Sequence, residues 1–456
     1  MRTLRLCSIC ILAFALSVIV GCKPPEQHMT ETPTPPEYNK QLPPGRLALR
    51  KITNPADIPD FTQGGMNLLG LRQSVQNSIE YMNRPSSQRA FPYGDITHQQ
   101  AMDSLKAFAE LLDRSPSPQQ LNAEIRQRFD VYMSVGCDDA GKVLFTGYYT
   151  PIFNGSPVKT DKFRYPLYKN PAGLKRLPDG TVVGIADANG IVTKPTRKEI
   201  ETTNMFAGNE LVWLGDPFEA YIAQVQGSAK LRMPDGSMIT VGYSGSNGLD
   251  YAKVGEMLQK DGKISTISLP AMIEFFKAHP EQLSTYIYRN PRYVFFAQST
   301  DGPHGSLNVP VTDYRTIATD KSIFPRGAVA FIVAQLPRKV AGTIQPVNYR
   351  GFACDQDTGN GIRAAGRCDI YVGVGDEAGQ LAGRTVQEGK LYYIFLRPGQ
   401  AAPSAMPSGP AAAPSGDATG STTGGTPNGG NGGATPPPLS DAPGTIPPPV
   451  PPVEPK

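Results

Sequence analysis

The chain has 456 residues, which gives room for two or three domains and a large hydrophobic core. Its net charge of +4 is small for this length, and its Lys and Arg residues form no basic cluster interleaved with aromatic residues. No nucleic acid is therefore expected as a partner.

The N-terminus has the pattern of an export signal. Two arginines precede an apolar run, residues 6–20, that is too short for a comfortable transmembrane helix. The run ends at Gly21-Cys22, which resembles a bacterial lipobox, where the cysteine becomes the lipidated first residue of the mature protein. We predict a signal peptide at 1–21 and lipidation at Cys22, with a plain signal peptide and a chance cysteine as the alternative. Lysine, not aspartate, follows the cysteine, which by resemblance to enteric-type sorting rules predicts the periplasmic leaflet of the outer membrane.

Two biased segments flank the body of the chain. Residues 22–45 are rich in proline and predict a linker that holds the body away from a membrane. Residues 399–456 contain mainly Ala, Pro, Gly, Ser and Thr, which bury too little apolar surface to fold. We predict a disordered tail there.

Apolar residues at the 3.6-residue period predict helices at 66–84, 98–114 and 117–131. After them, short β-like runs separated by Gly, Pro, Asn and Asp are typical of β-barrels. The predicted strands are 143–149, 181–185, 219–225, 238–243, 293–297, 328–332, 368–372 and 392–396. Two small helices are predicted at 251–259 and 267–278. The body is therefore predicted to be α+β and mostly β.

The residue types exclude several common chemistries. None of the four histidines has a paired metal spacing such as H-E-x-x-H, and no C-x-x-C lies outside the signal segment, so no metal site is predicted. The G-x-S-x-G elbow, the P-loop and the dinucleotide fingerprint are also missing, and we expect no cofactor. Chemistry performed by carboxylates remains.

Three cysteines, Cys137, Cys354 and Cys368, remain after export, an odd number for an oxidising compartment. If a disulfide forms, the predicted pair is Cys354–Cys368. This bond would join the two ends of the loop that carries Asp357 and Asp369.

The tripeptide Asp357-Thr358-Gly359 is the one found in aspartic proteases. Such enzymes need two of these loops, whose carboxylates share one proton, and this chain has one. A homodimer could supply the second loop, but such loops follow an apolar strand and the preceding segment 354–356 is polar. An aspartic protease is therefore a minor alternative, and a turn-forming role for Asp357 stays open.

Glycosidic bond cleavage is the other carboxylate chemistry that fits. It needs a proton for the leaving oxygen, which one carboxyl group can donate when its surroundings raise its pKa. Asp369 lies in the strand-like run 368–372, where apolar neighbours would partly desolvate it, and Asp357 could fold back beside it. These two aspartates are the predicted catalytic residues.

Several short segments occur in the order found in one enzyme family. They are 146–151, 226–228, 290–296, 302–305, 357–359, 369–371 and 373–375. Together with the lipobox they resemble the membrane-bound lytic murein transglycosylase A family, over roughly residues 50–397.

The resemblance implies an enzyme that cleaves the β-1,4 bond between N-acetylmuramic acid and N-acetylglucosamine in peptidoglycan. The muramyl 6-hydroxyl attacks C1 and leaves a 1,6-anhydro product, while one aspartate acts as acid and then as base. Asp369 matches that aspartate. A hydrolytic muramidase and a non-catalytic peptidoglycan-binding lipoprotein are the alternatives. The expected partners are peptidoglycan glycan strands, the outer membrane through the lipid anchor, and proteins of cell-wall synthesis or division.

The fold that the resemblance implies is a double-psi β-barrel with N-terminal helices, plus an inserted second β-barrel domain and a groove between them. The catalytic domain would span 46–151 and 289–398, with the insert at 152–288. The family's C-terminal module carries three aspartates, matched here by Asp320, Asp357 and Asp369, although a loop or cap role is the alternative for Asp320.

The predicted substrate-binding residues offer polar or stacking contacts to sugars. Gln226, Gly227 and Ser228 form one group, because polar residues that bracket a glycine in a strand indicate close backbone approach. Tyr149 and Tyr243 offer ring faces, with packing in the barrel as the alternative. The remaining predicted contacts are Asn247, Gly359 and Asp320.

Overall fold

The structure of the protein is a computed structural model that describes residues 36–177, 181–359 and 361–400. The predicted signal peptide, the lipidation site Cys22, part of the linker and nearly all of the tail lie outside the described residues. Within the described ranges, no helix is long and apolar enough to cross a membrane.

Helices and strands alternate unevenly along the described chain. The α-helices are α1 Leu71–Met82, α2 His98–Asp113, α3 Pro118–Arg128, α4 Arg197–Thr203, α5 Pro217–Gln226, α6 Val254–Lys260, α7 Leu269–Ala278, α8 Leu283–Ile287 and α9 Gly375–Arg384. The strands are β1 Leu49–Lys51, β2 Phe129–Ser134, β3 Val143–Thr150, β4 Ile152–Ser156, β5 Tyr165–Tyr168, β6 Leu174–Arg176, β7 Val182–Ala186, β8 Val192–Thr193, β9 Glu210–Leu214, β10 Ser228–Arg232, β11 Met238–Ser246, β12 Val294–Ser299, β13 Thr316–Ala318, β14 Val329–Val340, β15 Thr343–Asp357, β16 Arg367–Val374 and β17 Val386–Leu396.

Six of these strands form a closed β-barrel. Their order around the ring is β17, β14, β15, β13, β16 and β3, and a ladder between β3 and β17 closes it. Two of the pairings are parallel, β13 with β15 and β3 with β16. Because β3 precedes the other five strands by more than 160 residues, the chain leaves the barrel after β3 and returns to it at β13.

The longest hairpin of the barrel joins β14 and β15. Val340 pairs with Thr343, so Ala341 and Gly342 alone form the turn. Both turn residues have positive φ, 49° and 82°, as a two-residue type I′ turn requires. Gly342 adopts this conformation without a steric penalty, and the tight turn fixes the register of the ladder that ends at the Val329–Cys354 pair.

Aromatic side chains fill the space where the N-terminal helices meet the barrel. The ring centroids of Phe331 and Phe352, on β14 and β15, are 4.8 Å apart. Phe108 from α2 lies 5.3 Å from Phe352, and Phe61 lies 4.8 Å from Phe331. All four side chains are fully buried. Their contact fixes the helices on the barrel wall.

A second sheet of six strands follows β3 in the chain. Its order is β12, β11, β10, β4, β9 and β5, and β6, β7 and β8 form a separate small sheet. The apolar side of α5 packs against this second sheet and against α6 to α8. The ladders recorded for its described residues form an open row, so closure into a second barrel stays a prediction. Because β12 belongs to this sheet, the sheet continues past residue 288, and the domain bounds stay predictions too.

The predicted α+β class with a barrel-rich, mostly β body is confirmed. Helices α1 and α2 lie where the 3.6-residue period predicted them, and α6 and α7 lie within or across the two predicted small helices. The third predicted helix ends at Arg128 instead of residue 131, because the chain from Phe129 pairs with β1 and β17 as β2.

The strand predicted at 219–225 is wrong, because this segment lies within α5. The Asp216 carboxylate accepts hydrogen bonds from the backbone N–H groups of Phe218 and Glu219, and Pro217 occupies the first helical turn. Gly227 ends the helix in the left-handed region at φ 77°. These capping residues were visible in the sequence and outweigh the β-like composition.

The predicted disulfide between Cys354 and Cys368 is also wrong, since both thiols are free. Cys354 lies on β15 and Cys368 on β16, and β13 pairs between these strands. Neighbouring strands are about 4.8 Å apart, so two strand spacings exceed the Cα separation of about 7 Å that a disulfide tolerates.

Candidate active site

A cavity of about 200 Å³ lies between the barrel and the elements around α4 and α5. On the barrel side it is lined by Gly147, Tyr148, Gly359, Gly361, Ile362 and Asp369. On the other side it is lined by Arg197, Gln224, Val225, Gln226, Tyr251, Asn290, Arg292 and Val294. Asp369 is the one acidic residue among these described lining residues. This space is called the active-site cavity below.

Asp369 lies on β16, in the middle of the barrel wall. Its neighbours across the ladders are Thr146 on β3 and Ala318 on β13. The Thr146 hydroxyl donates a hydrogen bond to Oδ1, and the Arg367 guanidinium lies 3.4 Å from the same oxygen. The side chain is 22% exposed. In the described part of the chain both contacts reach Oδ1, which leaves Oδ2 available to a ligand.

Asp357 ends β15 and is held by three donors. The Tyr148 hydroxyl donates to Oδ2 at 2.8 Å, while the backbone N–H groups of Ser306 and Thr358 donate to Oδ1 at 2.8 and 2.7 Å. Burial raises the pKa of Asp357, although these three donors act in the opposite direction. Asp357 is not among the residues that line the active-site cavity. Asp357 therefore lies beside the cavity and contacts it through Tyr148.

Tyr148 connects the two aspartates. It follows Thr146 by two positions on β3, so both side chains lie on the same face of the strand. The ring of Tyr148 lines the cavity beside Asp369, and its hydroxyl donates to Asp357. Burial and the charge of Asp357 raise the pKa of this hydroxyl well above its usual value, so it stays a proton donor at neutral pH.

Arg197 anchors the opposite wall. Its side chain is 1% exposed, and its guanidinium donates to the Gln224 side chain at 3.0 Å and to the Arg292 carbonyl at 2.7 Å. An ion pair of 2.8 Å with Glu201 balances its charge. Because two of these partners lie on separate segments, α5 and the chain around Arg292, Arg197 fixes the position of α5 relative to that chain.

The predicted group Gln226, Gly227 and Ser228 spans the end of α5 and the start of β10. Gln226 lines the active-site cavity, and its Oε1 accepts a hydrogen bond from the Tyr149 backbone N–H at 3.2 Å. Gly227 caps the helix, so its role in a strand was predicted wrongly. The Ser228 hydroxyl lies 3.0 Å from the Thr150 hydroxyl and does not line the cavity.

The two predicted tyrosines lie outside the active-site cavity. Tyr149 alternates with Tyr148 on β3 and therefore points the other way, where its ring is buried against Gly379 of α9. Tyr243 on β11 is 45% exposed, and its backbone N–H donates to the Gly227 carbonyl. Neither ring lines the cavity, whereas Gly359 does.

Asn247 and Asp320 are buried and hold loops. The Asn247 amide donates to the carbonyls of Pro195 and Pro291 and accepts from backbone N–H groups, and the side chain is fully buried. The Asp320 carboxylate accepts from the backbone N–H groups of Ser322 and Ala364 and is 4% exposed. In this structure both residues contact the chain itself.

Several cavity residues were not predicted from the sequence. The segment 290–296 was noted as a motif, and both Asn290 and Arg292 line the cavity. Tyr148 lies in a noted motif as well, although its neighbour Tyr149 was chosen. Arg197 comes from a short helix without any motif, so no sequence signal identified it. Within the described ranges, no three His, Cys, Asp or Glu side chains come together to hold a metal ion.

Two family models match the chain. One, described as the MltA specific insert domain, matches residues 144–297, and the other, described as a 3D domain, matches residues 315–395. The first match covers β3 to β12, and the second covers the strands that complete the barrel. The two matches together cover both walls of the active-site cavity.

The chain is similar to curated proteins named membrane-bound lytic murein transglycosylase A. It is 28% identical to the one from Escherichia coli K12 over 276 residues, which is 59% of this chain and 70% of that protein. It is 29% identical to the one from Vibrio cholerae, over 58% of this chain and 69% of that protein.

Solved structures share the fold. A membrane-bound lytic murein transglycosylase from Agrobacterium tumefaciens matches with a TM-score of 0.65 and 26% identity, over 77% of this chain and 98% of that one. E. coli MltA with bound chitohexaose matches with a TM-score of 0.58 and 24% identity, over 80% of this chain and all of that one.

Proposed function

Because the chain belongs to the membrane-bound lytic murein transglycosylase A family, whose members are enzymes, we propose that it cleaves peptidoglycan glycan strands non-hydrolytically. The bond broken is the β-1,4 link between N-acetylmuramic acid and N-acetylglucosamine, and the product is a 1,6-anhydromuramyl end. The glycan oligomer bound to the E. coli relative supports a glycan strand as the ligand.

The observation that carries this proposal is the single carboxylate of the active-site cavity. Hydrolysis by the common two-carboxylate routes uses a second carboxylate that faces the bound sugar, as nucleophile or as base for water. Among the described lining residues only Asp369 has a carboxyl group. A reaction that needs one carboxyl group and takes its nucleophile from the substrate fits this cavity best.

Asp369 would act twice. As a carboxylic acid it gives its proton to the O4 leaving oxygen while the C1–O4 bond breaks. The muramyl 6-hydroxyl oxygen then bonds to C1, and its proton passes to the Asp369 carboxylate, which restores the acid. No water is consumed and the protons balance. Thr146 and Arg367 hold Oδ1, which supports Oδ2 as the oxygen that exchanges the proton.

Asp357 would support the reaction from behind Tyr148. Three donors stabilise its carboxylate, and one of them is the hydroxyl of the cavity residue Tyr148. This contact fixes the ring against which the sugar would lie. We assign Asp357 a positioning role.

The opposite wall would hold the sugar substituents. Gln226, Asn290 and Arg292 bring amide and guanidinium groups to the cavity, and these are partners for N-acetyl and hydroxyl groups. Gly359 would let the backbone approach the sugar closely. Of the predicted substrate contacts, Gln226 and Gly359 keep this role, while Asn247 and Asp320 would act by holding the loops.

The double-psi topology, the inserted barrel domain and the anchor belong to the same proposal. A six-stranded closed barrel with parallel contacts supports the double-psi assignment. The name "membrane-bound" of the curated relatives supports membrane association, which Cys22 would provide through its lipid on the periplasmic side of the outer membrane.

Product analysis tests the proposal. Purified sacculi incubated with the enzyme should release 1,6-anhydromuropeptides, which mass spectrometry separates from the reducing-end products of a hydrolase. Asp369→Asn should lower the rate by about 10²–10⁴-fold, the usual contribution of a general acid. Asp376→Asn, an exposed aspartate on α9, is the matched control and should keep the rate.

Three results would count against the proposal. Reducing-end products would indicate a muramidase. Tight binding to sacculi without any release would indicate a non-catalytic lipoprotein. Full activity of Asp369→Asn would remove Asp369 from the mechanism.

A further inference from the structure

A second cavity, of about 560 Å³, is lined in part by the α5 residues Pro217, Ala220 and Gln224. Its walls include Trp213 on β9, Tyr165 on β5 and Tyr288, which follows α8. Trp213 is the one tryptophan of the whole chain. The volume is within the range of about 300–1,000 Å³ typical of small-molecule sites. Aromatic walls of this kind offer flat apolar faces to a ligand.

Positive charge dominates the rim of the second cavity. Lys159 and Arg164 lie on the segment between β4 and β5, both are exposed, and both line the cavity. The Lys159 ammonium lies 5.5 Å from the centre of the Trp213 ring. Among the ion pairs of the described residues, none involves Lys159 or Arg164, so both cations are available to an anionic ligand.

The acidic residue of the second cavity is already paired. Glu201 on α4 lines the cavity, but its carboxylate accepts from the Arg197 guanidinium at 2.8 Å. Burial raises the pKa of Glu201, while Arg197 acts against this. Either the ion pair or protonation removes the negative charge of Glu201. The cavity therefore presents net positive charge.

The two cavities share a wall. Gln224 lines both of them, and its Oε1 accepts a hydrogen bond from Arg197. Arg197 lines the active-site cavity, while its partner Glu201 lines the second one. A glycan strand in the active-site cavity would therefore place its substituents close to the second cavity.

We propose that the second cavity binds the acidic peptide stem of peptidoglycan. This inference rests on the proposed function, because muramyl residues carry short peptides with several carboxylates. Lys159 and Arg164 would bind the carboxylates, and the aliphatic parts of the stem would lie against Trp213. The enzyme would then recognise glycan and peptide at two separate sites.

The tryptophan makes the site directly observable. Titration with the free tripeptide L-alanyl-γ-D-glutamyl-meso-diaminopimelate should change the intrinsic fluorescence of Trp213 in a saturable manner. Equilibrium dialysis of the same peptide, quantified by amino-acid analysis, measures binding independently of fluorescence. A hexasaccharide of N-acetylglucosamine, titrated into the Asp369→Asn variant, is the control ligand that carries no peptide stem.

Charge variants test the rim. The double variant Lys159→Ala/Arg164→Ala should weaken peptide binding by about tenfold, because two partly exposed charge contacts are lost. Lys162→Ala is the matched control, since Lys162 lies on the same exposed segment but not in the cavity wall. It should bind the peptide as the wild-type protein does.

Several outcomes would overturn the inference. One is the lack of peptide binding in dialysis at millimolar concentration, and another is equal loss of binding in Lys162→Ala and in the double variant. A change of Trp213 fluorescence by the hexasaccharide but not by the peptide would assign the cavity to the glycan. Cleavage of stem-free glycan is scored separately. If cleavage occurs without peptide binding, the proposed function stands and this inference fails, whereas peptide binding without cleavage refutes the proposed function alone.

Discussion

The buried ion pair inside the barrel gives a sharp test of how the fold is stabilised. Asp355 on β15 is fully buried and is paired with Lys321, whose side chain is 8% exposed. The carboxylate also accepts hydrogen bonds from the hydroxyls of Thr319 at 2.7 Å and Tyr393 at 2.8 Å. The substitution Lys321→Met removes the cation and leaves the carboxylate without a counter-charge.

The expected loss follows from this geometry. Removal of one partner of a buried ion pair costs about 3–5 kcal/mol, because the other charge stays desolvated. Two hydroxyl donors remain on Asp355, so we expect the lower end of this range, about 3 kcal/mol. The double variant Lys321→Met/Asp355→Asn removes both charges and should recover most of the loss.

The loss should depend on pH in one direction. Burial raises the pKa of Asp355 and Lys321 counteracts it, so removal of Lys321 raises this pKa further. The unfolded chain ionises at its usual pKa of about 3.9, while the folded variant holds its proton to a higher pH. The folded state then binds more protons, so the free energy of unfolding falls as pH rises above about 4. The deficit of the variant should be larger at pH 7 than at pH 4.

Urea unfolding followed by circular dichroism, at both pH values, measures this effect. The reasoning would be refuted by a loss under about 1 kcal/mol at pH 7. It would also be refuted by a double variant that is no more stable than Lys321→Met. A deficit that shrinks as pH rises would contradict the sign worked out above.

Three further substitutions test the site and its supports. Tyr148→Phe removes the hydrogen bond to Asp357 and should lower the rate of glycan cleavage about tenfold with the fold intact, because hydrogen bonds to charged groups contribute about 1.5–3 kcal/mol. Steady-state rates on sacculi measure this loss. Burial, with the nearby charge of Asp216, raises the pKa of Glu219 to about 7. The folded pKa exceeds the unfolded one, so this group lowers the free energy of unfolding as pH rises from about 4.5 to about 7, and Glu219→Gln should flatten that slope in urea titrations. Gly227→Ala, at φ 77° in the cap of α5, should cost about 1 kcal/mol of stability, measured in the same way.

Each of these expectations can fail visibly. Wild-type rates in Tyr148→Phe would mean that Asp357 is positioned without the tyrosine. An unchanged pH slope in Glu219→Gln would place the titration on another group. Among the described residues, no heavy atom lies within 4 Å of the position that a methyl group would take at Gly227. A loss well above 1 kcal/mol would therefore show that backbone strain alone is not the cause.

The sequence predicted the class of the fold from local patterns. Helix periodicity located α1 and α2, and short apolar runs located β3, β14, β16 and β17. It missed β15 altogether, because the outer half of that strand, from Thr343, is largely exposed and lacks the apolar run of a buried strand. It mistook 219–225 for a strand, because composition was weighed above the caps at Asp216 and Gly227.

The sequence also predicted some residues of the candidate site and missed others. Asp369, Gln226 and Gly359 line the active-site cavity as their residue types suggested. Tyr149 was chosen over Tyr148, and only the position of the strand in the barrel shows which of two neighbouring side chains points into the cavity. Asn247 was predicted as a substrate contact because the sequence does not distinguish a buried polar residue from an exposed one, and the structure places it in the interior.

The sequence by itself determined the β-rich body and the strand that carries Asp369, and it predicts an export-type N-terminus. These features depend on neighbours along the chain, within a helical turn or one strand. Tertiary structure alone decided that β13 separates Cys354 from Cys368, that Tyr148 joins Asp357 to the cavity, and that Arg197 completes the opposite wall. Each of these contacts joins residues far apart in the chain, and strand order and register, which local sequence does not encode, bring them together.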